Sequence, residues 1–199
     1  MAEEKESPAQ LPPFRRVVTG HSPTGEAIIE SDENLVPYDP FSPTLEPATS
    51  QSVGLATIWR MGLTSFPVNS NEPWCEFNRK PVGLINPEGL MARIVDFPPG
   101  PSIMHRTLSL DFGIVLNGEI ELELDNGVKT LLKQNDVAVQ RGTIHAWINP
   151  GNTIVRMLFI LITAQTLNFC GKVLDATPLP PGLGGFDNTP GTSVNSSLS

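Results

Sequence analysis

Three residues of this sequence have the types and the spacing to do chemistry together: His105, Asp111 and His145. Two imidazoles and one carboxylate on rigid strands form a facial ligand set that suits Fe(II), Mn(II), Ni(II) or Zn(II). Without a metal the same three suit acid–base work. Burial raises a carboxyl pKa and a nearby carboxylate favours a protonated imidazole, so a His–Asp pair in an apolar pocket can remove one proton and return another. For each residue alone, the plain structural alternative is a satisfied polar side chain at a strand end. The third histidine, His21, lies in a Gly- and Pro-rich turn and is read as exposed and without a role.

The surrounding elements must bring His105 and His145 back beside one another across forty residues of chain. Short apolar runs at roughly ten-residue spacing, joined by NG, DNG, ND and NPG turns, imply an antiparallel sandwich or barrel. The segment EIELELDNG alternates cleanly, with Ile120, Leu122 and Leu124 on one face and Glu119, Glu121 and Glu123 toward solvent. RMLFILI is apolar on both faces, as a strand covered on both sides would be. RRVVTG and EAIIESD form two further strands around a Thr24-Gly25 turn. No internal repeat appears, which favours one barrel over two.

Two motifs in this framework resemble the cupin superfamily, the small double-stranded β-helix barrels. The first runs from Gly100 through His105 to Asp111, and after six further residues to Gly118. The second is NDVAVQRGTIHAWIN, with Asp136, Gly142, His145 and Asn149 in step. The resemblance is closest to small single-domain cupins of fungi and bacteria, carried by RRVVTGH, ARIVDFPPG, MHRTLSLDFGIVLNGEIELEL and VQRGTIHAWINPG. It implies an all-β jelly-roll barrel and, from some fungal relatives, small-molecule chemistry in natural-product pathways. Where such cupins carry a second histidine this chain has Thr107, where they carry glutamate it has Asp111, and the turn proline is replaced within Gln140-Arg141-Gly142. The site implied is therefore reduced to His105, Asp111 and His145 as ligands of one divalent metal and as catalytic residues, with Thr107 or water beside them; a metal-free site is the alternative.

Alternation places further candidates around that site. Trp147 shares a strand side with His145 and is read either as a flat pocket wall or as a core aromatic. Arg93 is the best candidate to enter the barrel and hold a substrate carboxylate or phenolate through its planar fork, the alternative being a solvated outward side chain. Met157 and Phe159 alternate along an inner strand and are expected to line the pocket.

Residues 1–12 and 171–199 read as flexible tails, the latter with Phe186 as its one apolar anchor. One domain is expected over 13–170, with an arm over 13–60 and a barrel over 61–170. In resembling proteins such an arm packs on a second subunit, so a homodimer is expected. A formal charge of −8 argues against nucleic-acid or anionic-membrane partners. The acidic start MAEEKESPAQ, the lack of a long apolar run and only two cysteines, Cys75 and Cys170, suggest a cytoplasmic protein with packed thiols.

Three functions remain open on this basis. The first is a lyase that dehydrates or decarboxylates a small organic acid or polyketide-like intermediate, by metal assistance or by His/Asp acid–base catalysis. The second is an Fe(II)-dependent dioxygenase. The third is a barrel that binds a small molecule without transforming it.

Overall fold

The turn residues fix where the chain reverses, and the apolar runs between them pair into sheets. A computed structural model describes residues 10–62, 83–87 and 89–178. Among these residues all regular structure is strand: β1 (Phe14–His21), β2 (Ala27–Leu35), β3 (Gly54–Gly62), β4 (Gly89–Phe97), β5 (Gly100–Pro101), β6 (Ser109–Asn117), β7 (Glu119–Leu124), β8 (Lys129–Lys133), β9 (Val137–Arg141), β10 (His145–Asn149), β11 (Val155–Thr163), β12 (Leu167–Phe169) and β13 (Lys172–Leu174).

Two sheets face each other to make the barrel, a five-stranded one in the order β3-β4-β11-β6-β9 and a four-stranded one in the order β5-β10-β7-β8. The chain passes from the first to the second at Gly118, whose φ of +86° suits the sharp corner between β6 and β7 and is open to glycine without cost. Core side chains come from both inner faces: Met157, Val115 and Ile120 are completely buried, with Met91, Val155 and Trp147 close behind. This closed, strand-only arrangement is the jelly-roll barrel that the turn spacing implied.

The inward rows of the five-stranded sheet can be read from its register. Arg93 stands opposite Phe159, which stands opposite Gly113, which stands opposite Ala138. One row nearer the mouth, Met91, Leu161, Asp111 and Gln140 follow one another in the same way. One row deeper, Val95 pairs with Met157 and Met157 with Val115. Gly113 is part of the packing: a Cβ there would lie 2.9 Å from the Phe159 ring and 3.3 Å from the Met157 methyl, so its absence lets both side chains seat against β6.

The arm is the β1–β2 hairpin, held to the barrel by Arg16, which donates to the Ile58 carbonyl at 2.9 Å and pairs with Glu33. Its base is fixed by Arg156, which makes a bidentate pair with Asp96 (2.6 and 2.7 Å), donates to the Pro12 carbonyl at 2.8 Å and stacks over Phe14. The boundary expected at residue 60 moves toward the N-terminus. β3 belongs to the barrel, because Leu55, Ala56 and Thr57 are buried and the whole strand pairs with β4.

The boundary expected at 170 also moves. The chain turns at Cys170 into the β12–β13 hairpin, and Thr177 bonds the Arg106 backbone in both directions, at 3.0 and 2.9 Å. The expectations placed on Cys75, on Phe186 and on the two outermost ends lie outside the described residues. Among the described residues no helix is long and apolar enough to cross a membrane.

Candidate functional site

A cavity of about 360 Å³ opens at the upper end of the barrel. His105, Thr107, Asp111, His145, Trp147, Phe159 and Arg93 all line it, so most of the residues singled out by type and spacing do meet at one place. Leu55, Val95, Phe97 and Leu161 make most of its apolar wall, and Pro40 and Phe41 from the segment after the arm stand at its rim. Met157 is the exception. It is fully buried one row deeper, behind the Phe159 ring, and belongs to the packed core rather than to the cavity wall. The strand alternation that points Met157 inward is right, but at its row the cavity is lined from β4, by Val95, while Met157 is packed in the core.

The two histidines are brought together by the backbone itself. His105 and His145 form an isolated antiparallel bridge with reciprocal N–H···O bonds of 2.8 and 2.9 Å, so their side chains leave adjacent strands side by side, with ring centroids 4.7 Å apart. Each Nδ1 lies against a carbonyl two residues back: 2.8 Å to Ile103 for His105 and 2.9 Å to Thr143 for His145. A carbonyl only accepts, so both Nδ1 atoms carry the proton and both Nε2 atoms keep a free lone pair. Burial pushes the His105 pKa down. It pushes His145 down to about 4, helped by the neighbouring His105 and opposed by the Thr143 carbonyl. Both rings are therefore neutral acceptors at neutral pH.

Asp111 faces them from β6 with the opposite bias. Burial raises its carboxyl pKa to about 6, against hydrogen bonds from Ser109 and Thr107 that lower it. The Ser109 hydroxyl donates to Thr107 Oγ1 at 2.8 Å, and Thr107 in turn donates to Asp111 Oδ2 at 3.3 Å. The other oxygen, Oδ1, is buried with no hydrogen-bond partner. Thr107, at the place of an expected histidine, thus holds one oxygen of the carboxyl and leaves the other unpartnered.

Arg93 enters the barrel, as one of its two sequence readings has it. It is 3% exposed, donates from Nη2 to the Gly83 carbonyl at 2.9 Å and touches the Met91 sulfur, while its Nε has no partner. Burial lowers its pKa to about 10, which leaves it charged at neutral pH. Among the described residues no carboxylate pairs with it. Trp147 combines both of its readings, since it is 2% exposed in the core and its ring also forms cavity wall, edge-on to His145 and Phe159.

Gln140 was missed by sequence reasoning, which placed it in a turn. It lies inside β9, directly opposite Asp111, 3% exposed and lining the cavity, and neither atom of its carboxamide has a hydrogen-bond partner. The signal available was its position: in VAVQR an inward Ala138 puts Gln140 inward too. Asn149, in step with the second motif, is structural: its amide bonds the Phe97 and Thr153 carbonyls at 2.9 and 2.7 Å and accepts from Gly151 N–H at 3.0 Å.

The donor atoms decide how far a divalent cation fits. His105 and His145 offer two free Nε2 lone pairs, with Nδ1–H tethered to carbonyls as metal-bound histidines commonly are. Asp111, however, has one oxygen engaged by Thr107. Among the described residues no group of three or more His, Cys, Asp and Glu side chains stands together as a metal site. Two imidazoles fall short of the three protein ligands typical of a resident catalytic ion, so the donor set as it stands does not fit one, and no step below is routed through a metal.

A jelly-roll with paired histidines in the lining of its cavity defines the protein as a barrel with an internal cavity. The chain belongs to the cupin family. Residues 93–161, which carry most of the site, match the cupin-domain family model. Over nearly its whole length the chain is 36% identical to "Phomopsin biosynthesis cluster protein D" of Diaporthe leptostromiformis, covering 95% of this chain and 97% of the relative. It is 34% identical to "Cupin-domain-containing oxidoreductase srdB" of Neurospora crassa, covering 85% and 83%. It is 39% identical over a shorter stretch to "Oryzines biosynthesis cluster protein J" of Aspergillus oryzae, covering 62% and 73%.

Proposed function

We propose that this cupin is an enzyme of small-molecule biosynthesis that moves a proton on an organic acid, eliminating water or carbon dioxide without redox change. One observation carries this reading. Asp111, in the cavity lining, keeps Oδ1 buried and without a hydrogen-bond partner while burial raises its carboxyl pKa to about 6, close to the value at which a general base works best near neutral pH. Arg93, a buried cation without a carboxylate partner among the described residues, supplies the anchor for the substrate's acid group. His105 and His145, neutral and with Nε2 free, accept hydrogen bonds from substrate hydroxyls and hold the carbon to be deprotonated near Asp111.

In a dehydration, Asp111 Oδ1 takes the proton next to the carbonyl and the C–H electrons become the new C=C bond. The C–O bond breaks, and the same proton leaves on the departing hydroxyl as water. A second acid is not required. The names of the relatives from biosynthesis clusters support a small organic substrate for this chain. A second copy of the chain is proposed to cover the apolar outer face of the five-stranded sheet, where Val137 and Val139 are more than half exposed.

The test is a panel of β-hydroxy and β-keto acids incubated with purified protein in D2O and read by mass spectrometry. Loss of water or carbon dioxide, or deuterium at the α-carbon, supports the reading; substrate-dependent oxygen consumption without these changes sinks it. A second reading, an oxidoreductase, is favoured by the names of relatives such as "Cupin-domain-containing oxidoreductase fogC" of Aspergillus ruber, 38% identical over 59% of this chain, and by the two free Nε2 lone pairs. It requires the unpartnered Oδ1 of Asp111 to join the two histidines around an ion. Elemental analysis of the protein beside His145→Ala decides it: near-stoichiometric metal that disappears in the variant would favour this second reading.

A further inference from the structure

Gln140 is the side chain that the proton-transfer scheme leaves unused, and it is the most conspicuous polar group in the barrel. A buried carboxamide ordinarily finds partners for its donor and its acceptor, because an unpaired one loses its hydration with nothing in return. Here both Oε1 and Nε2 are buried and unpartnered, and the side chain lines the cavity. Its neighbour across the β6–β9 pair, Asp111, likewise leaves Oδ1 without a partner. Two neighbouring residues of the cavity lining therefore carry two buried acceptors and a buried N–H donor, none of them satisfied from within the described residues.

That pair lies opposite the cation in the sheet. Arg93 is on β4, Asp111 on β6 and Gln140 on β9, with β11 between the first two. At about 4.8 Å per strand, the cation and the carboxyl stand on backbones roughly 10 Å apart, and the carboxamide one strand further. The floor between them is Phe159 and Leu161, which is apolar. The arrangement has an anion receptor at one end, a flat apolar middle and a paired donor and acceptor at the other.

We propose that Gln140 reads the far end of the substrate, and that this end is an amide or lactam. A C=O beside an N–H closes two hydrogen bonds with the Gln140 carboxamide in one plane, Nε2–H donating to the ligand carbonyl and the ligand N–H donating to Oε1. The ligand class is thus a carboxylic acid with an unsaturated or aromatic middle and an amide at the opposite end. This rests on reading the cavity as the substrate site and adds the substrate class to it. Gln140 is a specificity-determining residue in this account and takes no part in the proton transfer.

The test is isothermal titration calorimetry with two probes of equal shape, 4-carbamoylcinnamate and 4-acetylcinnamate. Both carry the carboxylate, but only the first pairs a carbonyl with an N–H. The wild type is expected to bind the amide about tenfold or more tightly than the ketone, because a site built for a hydrogen bond rejects the analogue that leaves it unpaired. Gln140→Met is expected to bind both alike, and Gln140→Glu, which keeps the shape but loses the donor, to lose the preference as well. A second readout needs no ligand: relieving an unpaired buried amide should raise the Tm of Gln140→Met by about 2–4 °C. Equal binding of the two probes by the wild type overturns the proposal, and so does no binding of either, a preference that survives in Gln140→Met, or a fall in that variant's Tm. Every readout is of binding or stability, so a failure of the acid panel to turn over would leave this test intact and the two ideas separable.

Discussion

The two faces of the five-stranded sheet invert the usual arrangement. The inner face, sealed in the barrel, carries Arg93, Asp111 and Gln140, while the outer face runs Ile160, Phe112, Val139 in one row and Leu158, Ile114, Val137 in the next. Val137 and Val139 are 53% and 54% exposed, against 3% for each of the three polar side chains inside. Stability alone would favour the reverse. A buried polar group without a partner costs free energy, and an exposed apolar strip gains none. The difference teaches where each proposal rests: the ligand on the unpartnered polar groups of the inner face, the covering copy on the exposed valines of the outer one.

Variants on the two faces should therefore separate function from folding. The largest effect is expected inside, at the base: Asp111→Asn should lower turnover by about 10²- to 10⁴-fold in the acid panel while leaving a folded barrel, as judged by circular dichroism. Full activity in that variant would remove Asp111 from the mechanism. Next comes the packed core beneath the cavity, where Met157→Ala should cost about 2–5 kcal/mol in denaturant unfolding, because the completely buried side chain leaves a void.

A smaller effect, with a defined sign, concerns pH. The Asp111 pKa is raised, so its contribution to stability is present below the unfolded carboxyl value and is lost as pH rises through about 6. The histidine values are depressed, so theirs is present above the unfolded imidazole value and is lost as pH falls toward about 4. Asp111→Asn should consequently unfold at higher temperature than wild type at pH 7.5, by at most about 2–3 kcal/mol, and lose that advantage near pH 4. A constant difference across the range would show that the carboxyl is not strained by burial. In the same scheme, kcat/KM of the wild type should rise through an apparent pKa near 6 as the base ionises.

The smallest effect on folding belongs to the outer face. Val139→Glu should change monomer stability by less than about 0.5 kcal/mol, since the side chain is already more than half exposed. It should nevertheless convert a dimer to a monomer in light scattering. A wild type that is monomeric at high concentration would leave the outer strip without the cover proposed for it.

The inversion also explains what was legible in the sequence. Turn residues such as Asn117-Gly118 and Asp125-Asn126-Gly127 mark reversals by local chemistry alone, so the strand series and the barrel followed from them. The convergence of His105 and His145 was carried by motif spacing and is realised by a backbone bridge. Gln140 was hidden because Gln140-Arg141-Gly142 was read as a turn, whereas β9 runs on to Arg141 and keeps Gln140 in the sheet. Met157 could not be told from a pocket residue either, since alternation gives the direction of a side chain and not the depth at which the space above it is filled.

Gly113 never touches the cavity, yet the missing methyl there is what lets the Phe159 ring lie back against β6. A single added carbon there would meet the Phe159 ring at 2.9 Å and the Met157 methyl at 3.3 Å, so the seat of a ring that lines the cavity is set from a position outside the cavity wall.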